Sequence, residues 1–166
     1  MEITQVVDAD GVGDVVRLAH DIWIEHYTAI IGRAQVDYML ETFQSSGAIN
    51  RQIADGLSYY LFVEDGTAAG YMAVLPEQPE SRMLLSKFYL GSAFRGRGLG
   101  KRALAFVEEL CRKSQLAVLW LTVNKRNPTV KVYESMGFRK TSELATDIGG
   151  GFVMDDFIME KAISRL

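Results

Sequence analysis

The stretch that most restricts the fold is "MLLSKFYLGSAFRGRGLGKRAL", residues 83–104. Its first eight residues are apolar and aromatic enough to form a buried strand, within a span of Arg82 to Leu90. From Leu99 to Lys113 the apolar residues Leu99, Ala103, Phe106, Val107 and Leu110 recur at helical spacing. Between the two lie Gly96, Gly98 and Gly100, with Arg95, Arg97, Lys101 and Arg102. A helix start presents unpaired N–H groups and the positive end of its dipole, so carboxylates are favoured there. Here the first carboxylate is Glu108. Cations at that end are unfavourable unless an anion joins them, and glycine lets backbone amides approach it closely. The junction reads as a phosphate-binding turn.

Around it the chain predicts an α/β fold of order β-α-α-β-β-β-α-β-α-β-β. A strand over 3–7 precedes a helix capped by Asp8 or Asp10, with Val15, Leu18, Ala19, Ile22 and Trp23 on one face. A helix over Arg33–Phe43 follows, then a shorter one over 48–54. "SYYLFVE", Asp65-Gly66 and "TAAGYMAVL" form a hairpin that Pro76 and Pro79 close. After the glycine turn and its helix come a strand over 116–123 and a helix with Asn127 as N-cap, Pro128 first and Gly137 just beyond. Strands over 138–145 and 152–161 flank a "GGG" tip. The 166 residues form a single domain, large enough to bury a core. In open α/β sheets ligands collect beyond the carboxyl ends of parallel strands, which is where the glycine turn lies.

Several function classes recede. The longest apolar run, Leu116 to Leu121, is too short to cross a bilayer, and no secretory signal is visible. The lone Cys111 excludes an internal disulfide, fits a reducing cytoplasm and reads as a packed thiol. His20 and His26, the only histidines, lie on different faces of one helix, so no metal site is expected. Residues 81–140 hold 13 Lys and Arg against 3 Asp and Glu, a local charge of +10; the remainder holds 5 against 18, or −13. One part suits a polyanionic ligand and the other a cationic one. Nucleic acid is disfavoured, because much of the short basic segment belongs to the glycine turn. A dinucleotide fingerprint needs Gly-x-Gly-x-x-Gly, but Gly96, Gly98 and Gly100 are spaced too tightly. A Walker loop needs glycine where Arg95 stands and Ser or Thr where Arg102 stands.

The run Arg95-Gly96-Arg97-Gly98-Leu99-Gly100 does fit Arg/Gln-x-x-Gly-x-Gly/Ala. With "LLSKFYL" before it, "LAVLWLTVN" after it and "NPTVKVYESMGF" beyond, the chain resembles the GNAT superfamily of acetyl-CoA-dependent N-acetyltransferases over nearly its whole length. The resemblance implies a mixed central sheet of six to seven strands flanked by helices. It implies that amides from Arg95, Gly96, Arg97, Gly98, Leu99, Gly100 and Lys101 hold the pyrophosphate of acetyl-CoA. Phe88, Tyr89 and Leu90 would give main-chain bonds to its pantetheine arm. Asn127 would touch the cofactor, and Tyr133 would protonate the leaving thiolate as an amine attacks directly. Each also has a structural reading: Asn127 as a helix cap, Tyr133 as a packed helical tyrosine. Trp23 and Trp120 read as core.

One departure stands out. Many members carry a glutamate base on the strand before the loop, and "RMLLSKF" has none. Glu25, His26, Asp155 and Asp156 are the candidates to serve instead or to hold the acceptor, unless the amine binds neutral or a water relays its proton. Asp147, Asp155 and Asp156 surround the last hairpin, and Asp155 and Asp156 should face opposite ways. The first helix and the "VMDD" strand resemble those of bacterial spermidine/spermine N-acetyltransferases (PaiA-like). That implies a small cationic amine as acceptor. A protein N-terminal or lysine acetyltransferase, or a non-catalytic acyl-CoA-binding module, are the alternatives, and a homodimer is possible because many relatives pair.

Overall fold

A computed structural model describes residues 1–164. The elements run β1 (Glu2–Gln5), α1 (Ala9–Ile31), α2 (Arg33–Phe43), α3 (Ser46–Ala54), β2 (Ser58–Glu64), β3 (Thr67–Glu77) and β4 (Arg82–Leu90). After a 3₁₀ turn at Ser92–Phe94 come α4 (Leu99–Lys113), β5 (Val118–Asn124), α5 (Thr129–Ser135), β6 (Arg139–Gly149) and β7 (Phe152–Ala162). The strands form one mixed seven-stranded sheet, ordered β1-β2-β3-β4-β5-β7-β6. β4 and β5 run parallel, while β1–β2, β2–β3, β5–β7 and β6–β7 are antiparallel. The parallel register covers only Arg82–Leu84 against Val118–Trp120, whereas β5 pairs with β7 along its full length.

The element order agrees with the sequence pattern, and the differences have physical causes. Asp8, not Asp10, caps α1, its carboxylate accepting from Gly11 N at 2.8 Å. α3 starts two residues earlier than its apolar pattern, because Ser45 Oγ accepts from Ala48 N at 3.3 Å. β3 continues through Pro76, and β6 runs on to Gly149 because β7 pairs with it that far. Gly149, Gly150 and Gly151 all have positive φ, between 61° and 86°, and turn the hairpin at a cost few other residues would bear as lightly.

The chain divides into two compact units, one of residues 1–75 and 87–103, the other of 76–86 with 104 onward. The first has a core of Val15, Val36, Ile49, Tyr59, Phe62, Tyr71 and Met72, all fully buried. The second is built on Val107, Cys111, Leu119, Leu121 and Met159. Burial pushes the Cys111 thiol up to about 11, so it packs as an inert thiol, as its helical position implies.

Gly70 fixes the carboxyl end of β4. A Cβ there would lie 2.2 Å from Tyr89 O and 3.0 Å from both Leu90 Cδ2 and Phe62 Cδ2. The neighbouring Ala69 O accepts from Gly91 N at 2.9 Å. Because the closest obstacle is backbone, Gly70→Ala must move β4 rather than a flexible side chain. We expect it to cost about 1–3 kcal/mol, read as a lower urea midpoint at constant slope.

Candidate active site

In the first unit, β4 delivers the chain into the turn and α4 leaves it. Gly96 and Gly98 have φ of 74° and 76°, and a Cβ at either would meet nothing within 4 Å. The protein does not fill that space. Those φ values lie where non-glycine residues are strained, so glycine turns the chain here at least cost and leaves the backbone amides of the loop uncovered by side chains. The first turn of α4 holds no acid, as the sequence indicated. Arg95 Nε donates to Leu90 O at 3.0 Å, tying the loop back to the strand end, while Arg97 stands 3.7 Å from Glu64. A diphosphate suits this donor set: oriented amides, a helix N-terminus and several guanidinium groups.

Phe88, Tyr89 and Leu90 close β4 immediately before the turn. The Tyr89 ring lies among Trp23 at 5.6 Å, Tyr27 at 6.1 Å and Tyr71 at 5.3 Å. Trp23 is buried in this cluster, as expected. His26 sets its ring edge-on to Tyr27 at 4.9 Å, and Glu25 is exposed beside it on α1. Lys87, one residue before this segment, was legible only as one cation of the basic block. It is half-buried, and desolvation pulls its ammonium down to about 8.

In the second unit, the chain passes from the carboxyl end of β5 through Asn127 into α5. Asn127 is 4% exposed, and its Oδ1 accepts from Thr129 N at 3.0 Å. Asn127 thus closes a two-residue turn ahead of the helix; the N-cap is Pro128 and the helix begins at Thr129, one residue later than the sequence pattern placed them. Tyr133 is half-buried, with its ring edge against Phe138 at 5.6 Å. Trp120 departs from the core reading. It is half-buried, its Nε1 donates to Glu77 at 2.8 Å, and the Arg82 guanidinium lies 4.5 Å over its ring. An indole N–H needs an acceptor, and Glu77 holds the ring at the margin.

The two adjacent aspartates separate as alternation requires. Asp155 is exposed, and its carboxylate meets the Lys125 ammonium at 2.8 Å, which also binds Glu143 at 2.6 Å. Asp156 is 4% exposed and hydrogen-bonds Thr122. Desolvation, above all, raises its carboxyl from 3.8 to about 6. Protonated, Asp156 costs the fold little. As pH rises from about 4 through 6 the unfolded chain ionises first, and the fold loses about 3 kcal/mol. Asp147 instead serves the hairpin, accepting from Gly149 N at 2.9 Å. Among the described residues, no cluster of His, Cys, Asp and Glu is arranged to hold a metal ion, and no helix is long and apolar enough to cross a membrane.

Comparison with known proteins bears on these parts together. Residues 18–138 match the model of the acetyltransferase (GNAT) family. The chain belongs to the GNAT family. Among curated relatives of this GNAT protein, an uncharacterized N-acetyltransferase of Bacillus subtilis, YycN, is 36% identical over 67 residues, covering 40% of this chain and 43% of that one. The streptothricin acetyltransferase of Streptomyces lavendulae is 28% identical over 86 residues, covering 51% and 46%. The matched segments thus span less than half the length of these relatives. The PaiA N-acetyltransferase of Thermoplasma acidophilum, solved in complex with coenzyme A, superposes with a TM-score of 0.80 at 19% identity, covering 98% of this chain and 99% of that one. At that identity the likeness is one of fold.

Proposed function

We propose that the protein, acting as one domain, is an acetyl-CoA-dependent N-acetyltransferase whose acceptor is a small cationic amine, a polyamine such as spermidine or spermine. The observation that carries the reading is the open glycine cradle at the head of a cation-rich helix. Bound acetyl-CoA supplies an acetyl group already activated as a thioester. The amides of residues 95–101 hold its diphosphate, helped by the α4 dipole. The main chain of Phe88, Tyr89 and Leu90 bonds the pantetheine arm, and an amide near Leu90 steadies the developing oxyanion. Asn127 orients the cofactor, and the Tyr133 hydroxyl gives its proton to the departing thiolate.

Support for a cationic acceptor is the −13 balance outside residues 81–140, with Glu25 exposed beside the α1 aromatics. A carboxylate on a distal ammonium is worth about 1.5–3 kcal/mol. Spermidine should therefore exceed an uncharged monoamine of similar length by about 10- to 100-fold in kcat/KM, with the margin shrinking at high salt. Thiol release from acetyl-CoA across an amine panel measures this. Equal rates would remove the cationic-acceptor reading and leave the transferase. Turnover confined to peptides would favour a protein acetyltransferase, and binding without turnover a non-catalytic module.

A further inference from the structure

The strand that carries a glutamate base in many GNAT enzymes has none here, and the fold holds an unexplained acid elsewhere. β5 alternates in burial: Leu119, Leu121 and Val123 are buried, while Trp120, Thr122 and Asn124 are half-buried. Lys161, paired with Leu119, donates to Glu108 of α4 at 2.6 Å and to Met136 O at 2.7 Å. The α4 side of the sheet is therefore the Leu119 side. Asp156 pairs with Asn124 and lies on the opposite face, together with Thr122, Ile158 and Leu144. Its partner Asn124 ends β5, the strand that runs parallel to β4, three residues before Asn127 in the turn that leads into α5. The charged groups nearest Asp156 are Asp155, which disfavours its ionisation, and Lys125, which favours it. That ammonium is already shared by Asp155 and Glu143. Glu160 lies further along the same face, opposite Trp120. Packing alone does not account for a buried carboxyl whose hydrogen-bonding partner is a threonine hydroxyl, since an amide or a leucine would sit there at less cost.

We propose that Asp156, oriented by Thr122, is the base that takes the proton from the acceptor ammonium. The inference rests on the acetyltransferase reading. An ammonium loses one proton to the Asp156 carboxylate, and the freed nitrogen pair forms the C–N bond to the thioester carbon. As the C–S bond breaks, the thiolate takes the Tyr133 proton, and the nitrogen's second proton makes good that loss. Asp156 then releases its proton to water, so one proton leaves per acetyl transferred. A carboxyl that titrates near 6 is ionised at neutral pH and still more basic than an ordinary aspartate, as a base for this step should be.

The test is the pH profile of kcat/KM with spermidine, alongside calorimetric acetyl-CoA affinity. The wild type should show an acid limb near pH 6. Asp156→Asn should lose about 10²–10³-fold at pH 7, lose that limb, and regain rate toward pH 9–10 as the amine deprotonates in solution, with acetyl-CoA affinity unchanged. Its Tm should match or exceed that of the wild type at pH 7.5. Thr122→Val keeps the carboxyl, removes the bond that favours its ionised form, and should move the limb upward with a smaller loss of rate. If Asp156→Asn turns over within threefold of wild type, or either variant keeps the wild-type limb, Asp156 is not the base. If the wild type binds acetyl-CoA and transfers to no amine, the acetyltransferase reading fails, and this proposal with it.

Discussion

Gly98→Val should abolish measurable acetyl-CoA binding while leaving a folded protein. The two halves of that expectation come from the same geometry. A Cβ at Gly98 meets nothing within 4 Å, so the chain itself does not exclude a side chain. On the proposed reading the space takes the diphosphate, and valine would stand where phosphate oxygens approach the amides. At φ of 76° a β-branched residue also pays about 1–3 kcal/mol of backbone strain, enough to lower Tm by a few degrees without unfolding a domain of this size. Calorimetry should give no binding isotherm at concentrations that saturate the wild type, a loss of at least about 100-fold, or 2.7 kcal/mol. Gly66→Ala is the control. Its φ of 75° carries similar strain, but it turns the β2–β3 hairpin and should leave affinity unchanged. An unchanged affinity in folded Gly98→Val would remove the cradle from the cofactor site.

Much of this architecture was legible because its signals are local. Glycine spacing, the missing acid in the first turn of α4, and the Asn127-Pro128 helix start are short-range facts of sequence, and each has its counterpart in the fold. Strand ends were less legible because partners set them. β6 reaches Gly149 only because β7 is there to pair, and its own residues are exposed along nearly its whole length. Alternation said that Asp155 and Asp156 part company. It could not say which one is buried, since that depends on the neighbours each acquires in the fold, Lys125 for Asp155 and Thr122 for Asp156. Trp120 shows the same limit: aromatic content marks a residue as worth burying, while Glu77 and Arg82, distant in sequence, hold it at the edge. Lys87 is the sharpest case. A single lysine in an apolar strand was visible as a charge, but the depression of its pKa is a property of burial.

Tyr133→Phe should separate chemistry from binding. The phenylalanine ring can keep the edge contact with Phe138 at 5.6 Å, and Tyr133 is half-buried, so removing one hydroxyl should change stability little. Acetyl-CoA affinity should stay within about twofold, because Asn127 and the loop amides, rather than this hydroxyl, are assigned to hold the cofactor. What goes is the proton for the thiolate. General acids typically contribute about 10²–10⁴-fold, so kcat should fall by that much with KM nearly constant. An acyl donor with a more acidic thiol needs that proton less, and with it the variant should recover part of the loss. A structural tyrosine would give a different pattern: reduced stability, altered KM and no dependence on the leaving thiol. A fall in kcat below about threefold, with chemistry shown to limit the rate, would return Tyr133 to packing against Phe138 and leave the thiolate to take its proton from water.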